Sequence, residues 1–426
     1  MSNVRNHVET KTNGAARGLP AVFRRFWLAA AVSNLGDGIR LAALPLLALE
    51  LTDDARLIAG VTAMSFVPWI AIGPFAGALV DRHDRRTLML IGQVARGIAV
   101  LLLAIAVSTG WANIAMLYVV ALIIGAGETV VDSASQAAIP RLVDDYQLER
   151  ANGQLTVAEN LFNDVLGVAL GAVLFSAASS IPFYVDAATF ILGALILTGI
   201  RKPLQGQRLA SRNTILTDIA EGLRFLGRHR FLRGLALSVA TTNLALNLGF
   251  GVMVILVVKE IGASQAVYGA ILAVGAAGGV AGSIVAGRLV ERLTPRRTLM
   301  LTHIPFIAAS VIYTFATQAW MVSGAFALSS FALVIYQIPS RALRQRLTPE
   351  PILGRVVAAF RIFGLGGPVI GAPLGGVITE AFGVRWAFAA STAVMALAWM
   401  LVLSALRHYD ADSTQPQFAI APQTST

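Results

Sequence analysis

The stretch that decides the fold is GALVDRHDRRTLM at 77–89, because it recurs as GRLVERLTPRRTLM at 287–300 with one additional residue. The shared pattern is G-x-L-V-[D/E]-R followed by R-R-T-L-M. A second pair of matching stretches is Gly167-x-x-x-Gly171 and Gly367-x-x-x-Gly371. Two landmarks in corresponding places of the two halves indicate an internal repeat, which is typical of secondary transporters.

Composition places both halves in a membrane. The chain has 426 residues, of which 56% are hydrophobic and 13% charged, and its mean hydropathy is +0.71. Soluble domains carry about 25% charged residues, so an ordinary soluble enzyme is excluded. Since one membrane helix takes about 20 residues, the apolar runs predict twelve spans. They lie at 26–49, 57–80, 87–108, 112–139, 155–177, 181–200, 234–258, 265–287, 298–317, 320–340, 356–379 and 386–406, and are called spans one to twelve below.

The basic residues predict the orientation of these spans. Of the 33 Lys and Arg residues, three fall in loops on one side, Arg56, Lys259 and Arg385. Three more lie within spans, and the remainder lie on the other side. By the positive-inside rule, this pattern predicts that both termini are cytoplasmic. The net charge of +10 therefore reflects membrane topology, and no nucleic-acid partner is expected.

Five segments follow from this pattern. We predict a disordered cytoplasmic tail over 1–22, a six-helix bundle over 23–200, a cytoplasmic linker over 201–233, a second six-helix bundle over 234–406, and a cytoplasmic tail over 407–426. Within the linker, Ile215, Ile219, Leu223 and Leu226 recur at helical spacing, which predicts an amphipathic helix on the membrane surface. A solvated basic loop is the alternative.

The sequence contains few residues that could bind a metal or a cofactor. It contains no Cys, and its five His are scattered, so neither a disulfide nor a Cys-ligated or His-ligated metal site is expected. No phosphate-binding loop is present that would indicate ATP. We therefore expect neither a cofactor nor an enzyme.

Charged groups inside the spans are candidates for a mechanism, because a charge at the bilayer centre costs about 2.5–3.5 kcal/mol. Asp37 and Arg40 share a face of span one. Glu128 and Asp132 share a face of span four. We propose these four, with Arg96 of span three, as residues that couple proton and substrate. A permanent Asp37–Arg40 pair that only neutralises two buried charges is the alternative, and Arg96 is expected to pair with Asp132. Asp186, near the outer end of span six, is assigned to a gate or to no role.

These residues and motifs resemble the major facilitator superfamily. The loop motif over 77–86 matches the family's loop between its second and third spans, although Asp84 stands where the family usually has Gly. The stretches SNLGDGI at 33–39, DRHDRR at 81–86 and GAGETVVD at 125–132 are most similar to bacterial macrolide-efflux and enterobactin-export proteins. The resemblance implies twelve helices in two pseudo-symmetric bundles, with alternating access through a central cavity.

The resemblance also implies roles for the repeated motifs. The loop would form a cytoplasmic gate that holds the halves together, using Asp81 opposite the beginning of span eleven. Anchoring of the membrane topology alone is the alternative for its arginines. The glycines would let helices approach closely, in a static or a rocking contact. The gate residues are Gly77, Asp81, Arg82, Arg85 and Arg86, and the packing residues are Gly167, Gly171, Gly367, Pro368 and Gly371.

The expected function is proton-coupled efflux of an amphipathic small molecule such as a drug, a macrolide-like compound or a siderophore, by a monomer in the lipid bilayer. Two departures weaken the antiporter motif: Val168 stands where those exporters usually have Pro, and span four lacks their Arg. An uptake carrier or uniporter of the same fold is therefore one alternative. Coupling to sodium is another, because carboxylates suit both ions. A membrane enzyme acting on a lipid or prenyl substrate is a third.

Overall fold

A computed structural model describes residues 18–201, 203–205 and 215–409. These residues are helical apart from short turns, and they contain no β-strand. The predicted twelve-span, two-bundle all-α architecture is confirmed, with the bent span two counted once. In order, the spans are Ala21–Leu51, Ala55–Ala71 with Gly73–Arg82, Arg85–Ser108, Ile114–Leu142, Asp145–Ala177, Ile181–Thr198, Arg230–Glu260, Gln265–Leu289, Arg292–Phe315, Ala319–Leu347, Leu353–Phe382 and Val384–Arg407.

Span two is bent by 52° at Ile72. Pro68 lies one turn before the bend, and Pro74 lies in the first turn of the second helix. Proline removes a backbone donor and its ring clashes with the preceding turn, so prolines commonly kink helices. The second helix carries the loop motif at its end.

Span five is not a uniform α-helix. Its α-helix Leu148–Ala158 continues as a π-helical stretch over Glu159–Gly167 and returns to α-helix over Val168–Ala177. Such π-helical turns are rare and frequently occur at functional sites. The stretch contributes Gly167 to the contact with span one.

The described chain forms two compact units. Unit 1 contains the residues before the linker's central part together with Gly262–Ala276, and unit 2 contains the remainder. The beginning of span eight thus belongs to unit 1, where Gln265 Nε2 lies 3.4 Å from Glu50 Oε1. Gly269 packs against Ala172 of span five in the same unit.

In each unit, the repeated Gly-x-x-x-Gly stretch lies where the backbones of two spans touch. In unit 1, a Cβ on Gly167 would lie 2.7 Å from the Leu35 carbonyl oxygen, and one on Gly171 would overlap the Ile39 backbone of span one. In unit 2, a Cβ on Gly367 would overlap Asn243 of span seven, and one on Gly371 would lie 2.7 Å from the Leu244 carbonyl oxygen. Small residues permit this approach in membranes. The sequence repeat therefore corresponds to a repeated helix contact, one to five and seven to eleven.

The linker is attached to both units. Near its beginning, Leu204 is buried in the core of unit 1, as is Ile200 just before the linker. An α-helix then forms over Ile215–Arg228, at the place where the amphipathic pattern predicts one. One face packs on the beginning of span eleven: Arg355 Nη1 donates to Glu221 Oε2 at 2.7 Å, and a Cβ on Gly222 would overlap the Arg355 carbonyl.

The predicted tails fall largely outside the described residues, which begin at 18 and end at 409. The helix of span one begins at Ala21, inside the segment expected as a tail. Its extension places Phe23 in the core of unit 1.

Candidate functional site

A cluster of buried charges lies in the interior of unit 1. Asp37 lies between two guanidinium groups: Arg40 Nη2 is 2.6 Å from Asp37 Oδ1, and Arg96 Nη2 is 2.6 and 2.7 Å from the two carboxylate oxygens. Arg40 and Arg96 are buried, and the Asp37 side chain is 13% exposed. The cluster thus joins span one to span three.

The Arg96 contact corrects one expectation from the sequence. Arg96 was expected to pair with Asp132, but the structure directs its guanidinium to Asp37, while Asp132 Oδ2 accepts from Gln136 Nε2 at 2.9 Å. Packing explains the difference. Gly127 of span four leaves room for the Arg96 stem, because a Cβ there would lie 2.7 Å from Arg96 Cγ. The stem therefore passes span four, and the guanidinium reaches span one.

Asp186 belongs to the same cluster, which the sequence did not predict. Its carboxyl is fully buried, and Oδ2 lies 3.3 Å from Arg40 Nε. Neither Asp186 oxygen has an aligned hydrogen bond, so the contact is an ion pair without hydrogen-bond geometry. The signal was present in the sequence as an acid inside an apolar span, but its closeness to the outer end of span six led to the assignment to a gate.

Glu128 of span four is half-buried beside this cluster. It interacts electrostatically with Asp37, Arg96, Arg40 and Asp132. Within the described chain, its carboxyl has neither a hydrogen bond nor an ion pair. Glu128 therefore differs from Asp37, which two guanidinium groups hold, and from Asp186, which is closed to solvent.

Uncharged neighbours fix the cluster in place. The Arg96 guanidinium carbon lies 4.1 Å from the centre of the Phe190 ring, a cation–π contact. Gly36 allows close approach to Asp186, because a Cβ there would lie 2.5 Å from Asp186 Oδ1. One turn away, Ser33 and Gln93 form a buried hydrogen bond between spans one and three. The side chains thus have little freedom to rearrange.

The charges in the cluster do not cancel when all groups are ionised. Two guanidinium groups, Arg40 and Arg96, contact the carboxyl groups of Asp37 and Asp186. A third carboxyl group, that of Glu128, interacts with them electrostatically. An uncompensated charge inside a membrane protein is costly. One proton or one other cation would make the cluster neutral. Among the described residues, no group of three His, Asp or Glu could hold a metal ion.

Two arginines of the loop motif bind backbone carbonyls of other segments of unit 1. Arg85 Nη1 donates to the carbonyls of Ala137 and Leu204 at 2.7 and 3.0 Å, and Arg86 donates to the Thr198 carbonyl at the end of span six. Cations favour such helix C-termini. Gln205 Nε2 donates to the Asp81 carbonyl at 3.1 Å.

The other members of the loop motif are exposed. The Asp81 and Arg82 side chains lie at the surface of unit 1. A Cβ on Gly77 would meet no atom within 4 Å. The gate role of these residues stays a prediction.

Unit 2 buries a polar network of a different kind. His303 of span nine lies with Nε2 3.5 Å from Thr242 Oγ1 and with Nδ1 3.0 Å from the Leu299 carbonyl oxygen. Tyr336 packs edge-on against the His303 ring and lies 3.4 Å from Ser238 Oγ. No carboxyl takes part in these contacts.

Comparison with known proteins identifies the family. A family model described as a transmembrane secretion effector matches residues 18–425. The chain belongs to this family. It is a membrane transporter of the major facilitator type, as its resemblance implied.

Two relatives and one solved structure illustrate the similarity. The MFS-type transporter YfiS of Bacillus subtilis (strain 168) is 28% identical, with 84% of this chain and 86% of the relative covered. The multidrug efflux pump Tap of Mycobacterium tuberculosis (strain ATCC 25618 / H37Rv) is 26% identical over 83% of this chain and 86% of the pump. A bacterial homologue of the iron transporter ferroportin, in an inward-facing state, matches with a TM-score of 0.76 and 17% identity over 91% of this chain and 99% of its own.

Proposed function

We propose that the protein is a proton-coupled exporter of amphipathic small molecules in the bacterial plasma membrane, working as a monomer by alternating access. The observation that carries this proposal is the unequal count of three carboxyl and two guanidinium groups in the core of unit 1. Tap and this chain share most of their length at 26% identity, which supports export as the direction. Candidate substrates are drugs, macrolide-like compounds and siderophores.

The charge count provides a mechanism for exchange. When Glu128 is ionised, the five groups carry one net negative charge. A proton on Glu128 neutralises this charge, and so does the cationic group of a bound substrate. Each excludes the other, because both together would leave the cluster positive. Mutual exclusion of proton and substrate is the requirement for antiport.

Asp37 has a different part in this mechanism. It accepts hydrogen bonds from both guanidinium groups, so it holds Arg40 and Arg96 in position. Asp186 forms the second ion pair of Arg40. Glu128, without a partner of its own, is the group that gains and loses the proton.

The test uses everted membrane vesicles from an efflux-deficient host that expresses the full chain. Acridine orange reports the proton gradient, and ethidium serves as a cationic probe. Wild type is expected to accumulate ethidium uphill and to consume part of the proton gradient as it does so. A protonophore, which collapses the gradient, should abolish this accumulation. Glu128→Gln is expected to lose uphill accumulation and to keep downhill ethidium movement.

Glu149→Gln is the matched control, because Glu149 is an exposed carboxyl of the same unit on the helix Leu148–Ala158. It should behave as wild type. Protonophore-sensitive uphill accumulation by Glu128→Gln would contradict the assignment of the proton to Glu128. If a sodium gradient drives ethidium accumulation and a proton gradient does not, sodium is the coupling ion. Accumulation of substrate inside intact cells would show that the direction of transport is uptake and not export.

A further inference from the structure

The second copy of the repeated loop differs from the first in its backbone. In the first copy, Asp84 accepts a hydrogen bond from the Thr87 backbone N–H at 2.8 Å and begins the helix of span three. In the second copy, the additional residue is accommodated at Thr294, whose φ is 66° and ψ 150°. A β-branched residue with positive φ is strained, and such strain clusters at functional sites.

A cleft lies beside this strained turn in unit 2. It encloses about 100 Å³, with room for only a few methylene groups. Spans eight, nine and ten supply its walls, which are mainly apolar. The lining side chains include Leu289, Leu293, Leu301, Pro305, Phe331 and Ile335.

Two arginines next to this cleft have no partner within the described chain. Arg292 precedes the lining residue Leu293, and Arg297 precedes Thr298, which also lines the cleft. Both side chains are exposed. By contrast, the equivalent of Arg297 in the first copy, Arg86, donates to the Thr198 carbonyl. The two copies retain the same residue type but give it different surroundings.

We propose that this cleft, with Arg292 and Arg297, binds one anionic phospholipid of the inner leaflet. The first methylene groups of one acyl chain, those nearest the head group, enter the cleft. The phosphate lies against the two guanidinium groups. Arginine forms strong, often bidentate hydrogen bonds with phosphate. Basic pockets between membrane helices on the cytoplasmic side bind anionic head groups.

Two observations favour a lipid over a soluble anion. The first is the apolar lining, which a free phosphate or carboxylate would not need. The second is the exposure of apolar side chains at the cleft: Leu301, which lines it, and Ile304, one turn further on the same span, are 46% and 49% exposed. Exposed apolar side chains on a span suit contact with acyl chains, and the positive-inside rule predicts that the loop of the repeat lies at the cytoplasmic end.

Purified full-length protein in detergent provides the test, by native mass spectrometry and by thermal unfolding. Dioleoyl phosphatidylglycerol is expected to bind and to raise the unfolding midpoint, and dioleoyl phosphatidylcholine is expected to do neither. The double variant Arg292→Gln with Arg297→Gln should weaken phosphatidylglycerol binding by roughly thirtyfold, since each basic residue near an anionic surface contributes to the affinity. Leu301→Ser should weaken it by a smaller factor.

Arg407→Gln is the matched control, an exposed arginine at the end of span twelve, and should bind phosphatidylglycerol as wild type does. Equal losses in the control and the double variant would overturn the proposal in favour of general surface charge. A stabilisation by inorganic phosphate equal to that by phosphatidylglycerol would overturn it in favour of a free anion site. Unchanged binding by a folded double variant would overturn it outright.

Discussion

Unit 1 and unit 2 use the same joint between helices but bury different polar groups beside it. In unit 1, spans one and five meet at Gly167 and Gly171, and charged groups fill the space next to span one. In unit 2, spans seven and eleven meet at Gly367 and Gly371, and the neighbouring polar groups are the hydroxyls and the imidazole around His303. Packing was thus retained across the repeat, whereas the buried Asp and Arg side chains of the described residues all lie in unit 1.

This difference separates the requirements of the fold from those of the mechanism. Helix joints serve both units equally, so their residues recur in the sequence. A second charged cluster would double the cost of burying ions in the membrane, and the proposed exchange of one proton does not need it. The four predictions below test this separation, from the largest expected effect to the smallest.

Replacement of Arg96 should have the largest effect. Arg96→Met leaves Asp37 and Asp186 with one guanidinium between them, and breaking a buried pair on one side typically costs about 3–5 kcal/mol. We expect a large loss of folded protein and a lower unfolding midpoint in detergent. The double variant Arg96→Met with Asp37→Asn should recover part of the loss, because it removes the uncompensated charge. A double variant less stable than Arg96→Met alone would contradict the pairing.

The glycine joints should respond equally in both units. Gly171→Leu and Gly371→Leu each force a side chain into a backbone contact, and overpacking typically costs about 1–3 kcal/mol. Gly364→Leu, on the same helix as Gly371, is the control, since a Cβ there meets no atom within 4 Å. Thermal unfolding of the three variants provides the comparison. A loss confined to one joint would show that the two contacts are not equivalent.

The neutral network of unit 2 should tolerate substitution better than the charged cluster does. Thr242→Val removes a hydroxyl that lies 3.5 Å from His303 Nε2, and hydrogen bonds between membrane helices average about 0.6 kcal/mol. We expect a small decrease of the unfolding midpoint and unchanged proton-coupled transport. Loss of transport by a stable Thr242→Val protein would mean that the mechanism extends into unit 2.

The smallest effect should occur outside both networks, at Asp54 in the loop after span one. The Arg56 guanidinium, 2.6 Å from Asp54 Oδ2, and the Arg56 backbone N–H lower the pKa of Asp54 to about 2. A folded-state pKa below the ordinary value of about 3.9 stabilises the protein above that value, and the contribution disappears as the pH falls towards 2. Wild type should therefore exceed Asp54→Asn slightly in unfolding midpoint at pH 7, and this difference should shrink at pH 3. Asp54 also caps the helix Ala55–Ala71, and a difference independent of pH would assign the effect to that cap.

The sequence predicted the spans because their signal is local. Length and hydropathy suffice for a membrane helix, and the repeat fixed their grouping into two sets of six. The bend at Ile72 and the π-helical stretch were not predicted, because apolar composition does not distinguish a straight span from an irregular one. The linker helix was predicted from its periodicity, but not its contact with Arg355.

The sequence predicted most residues of the candidate site but few of the contacts between them. Asp37 and Arg40 are three residues apart on one helix, so their contact follows from helix geometry. The contact between Asp37 and Arg96 depends on how spans one and three are rotated, and that rotation depends on Gly127 and Phe190. The contact between Asp186 and Arg40 likewise depends on how the spans are rotated. The position of Asp186 along span six did not predict it.

The π-helical stretch in span five has a consequence for comparing relatives. A π-helical turn holds one residue more than an α-helical turn, so it is equivalent to a single-residue insertion that the helix has absorbed. Deleting one residue between Glu159 and Phe162 would restore an α-helix and rotate everything on one side by about 100°. Gly167 and Gly171 would then no longer face span one. Relatives that differ by a one-residue gap at this place should accordingly carry their small residues at shifted positions along span five.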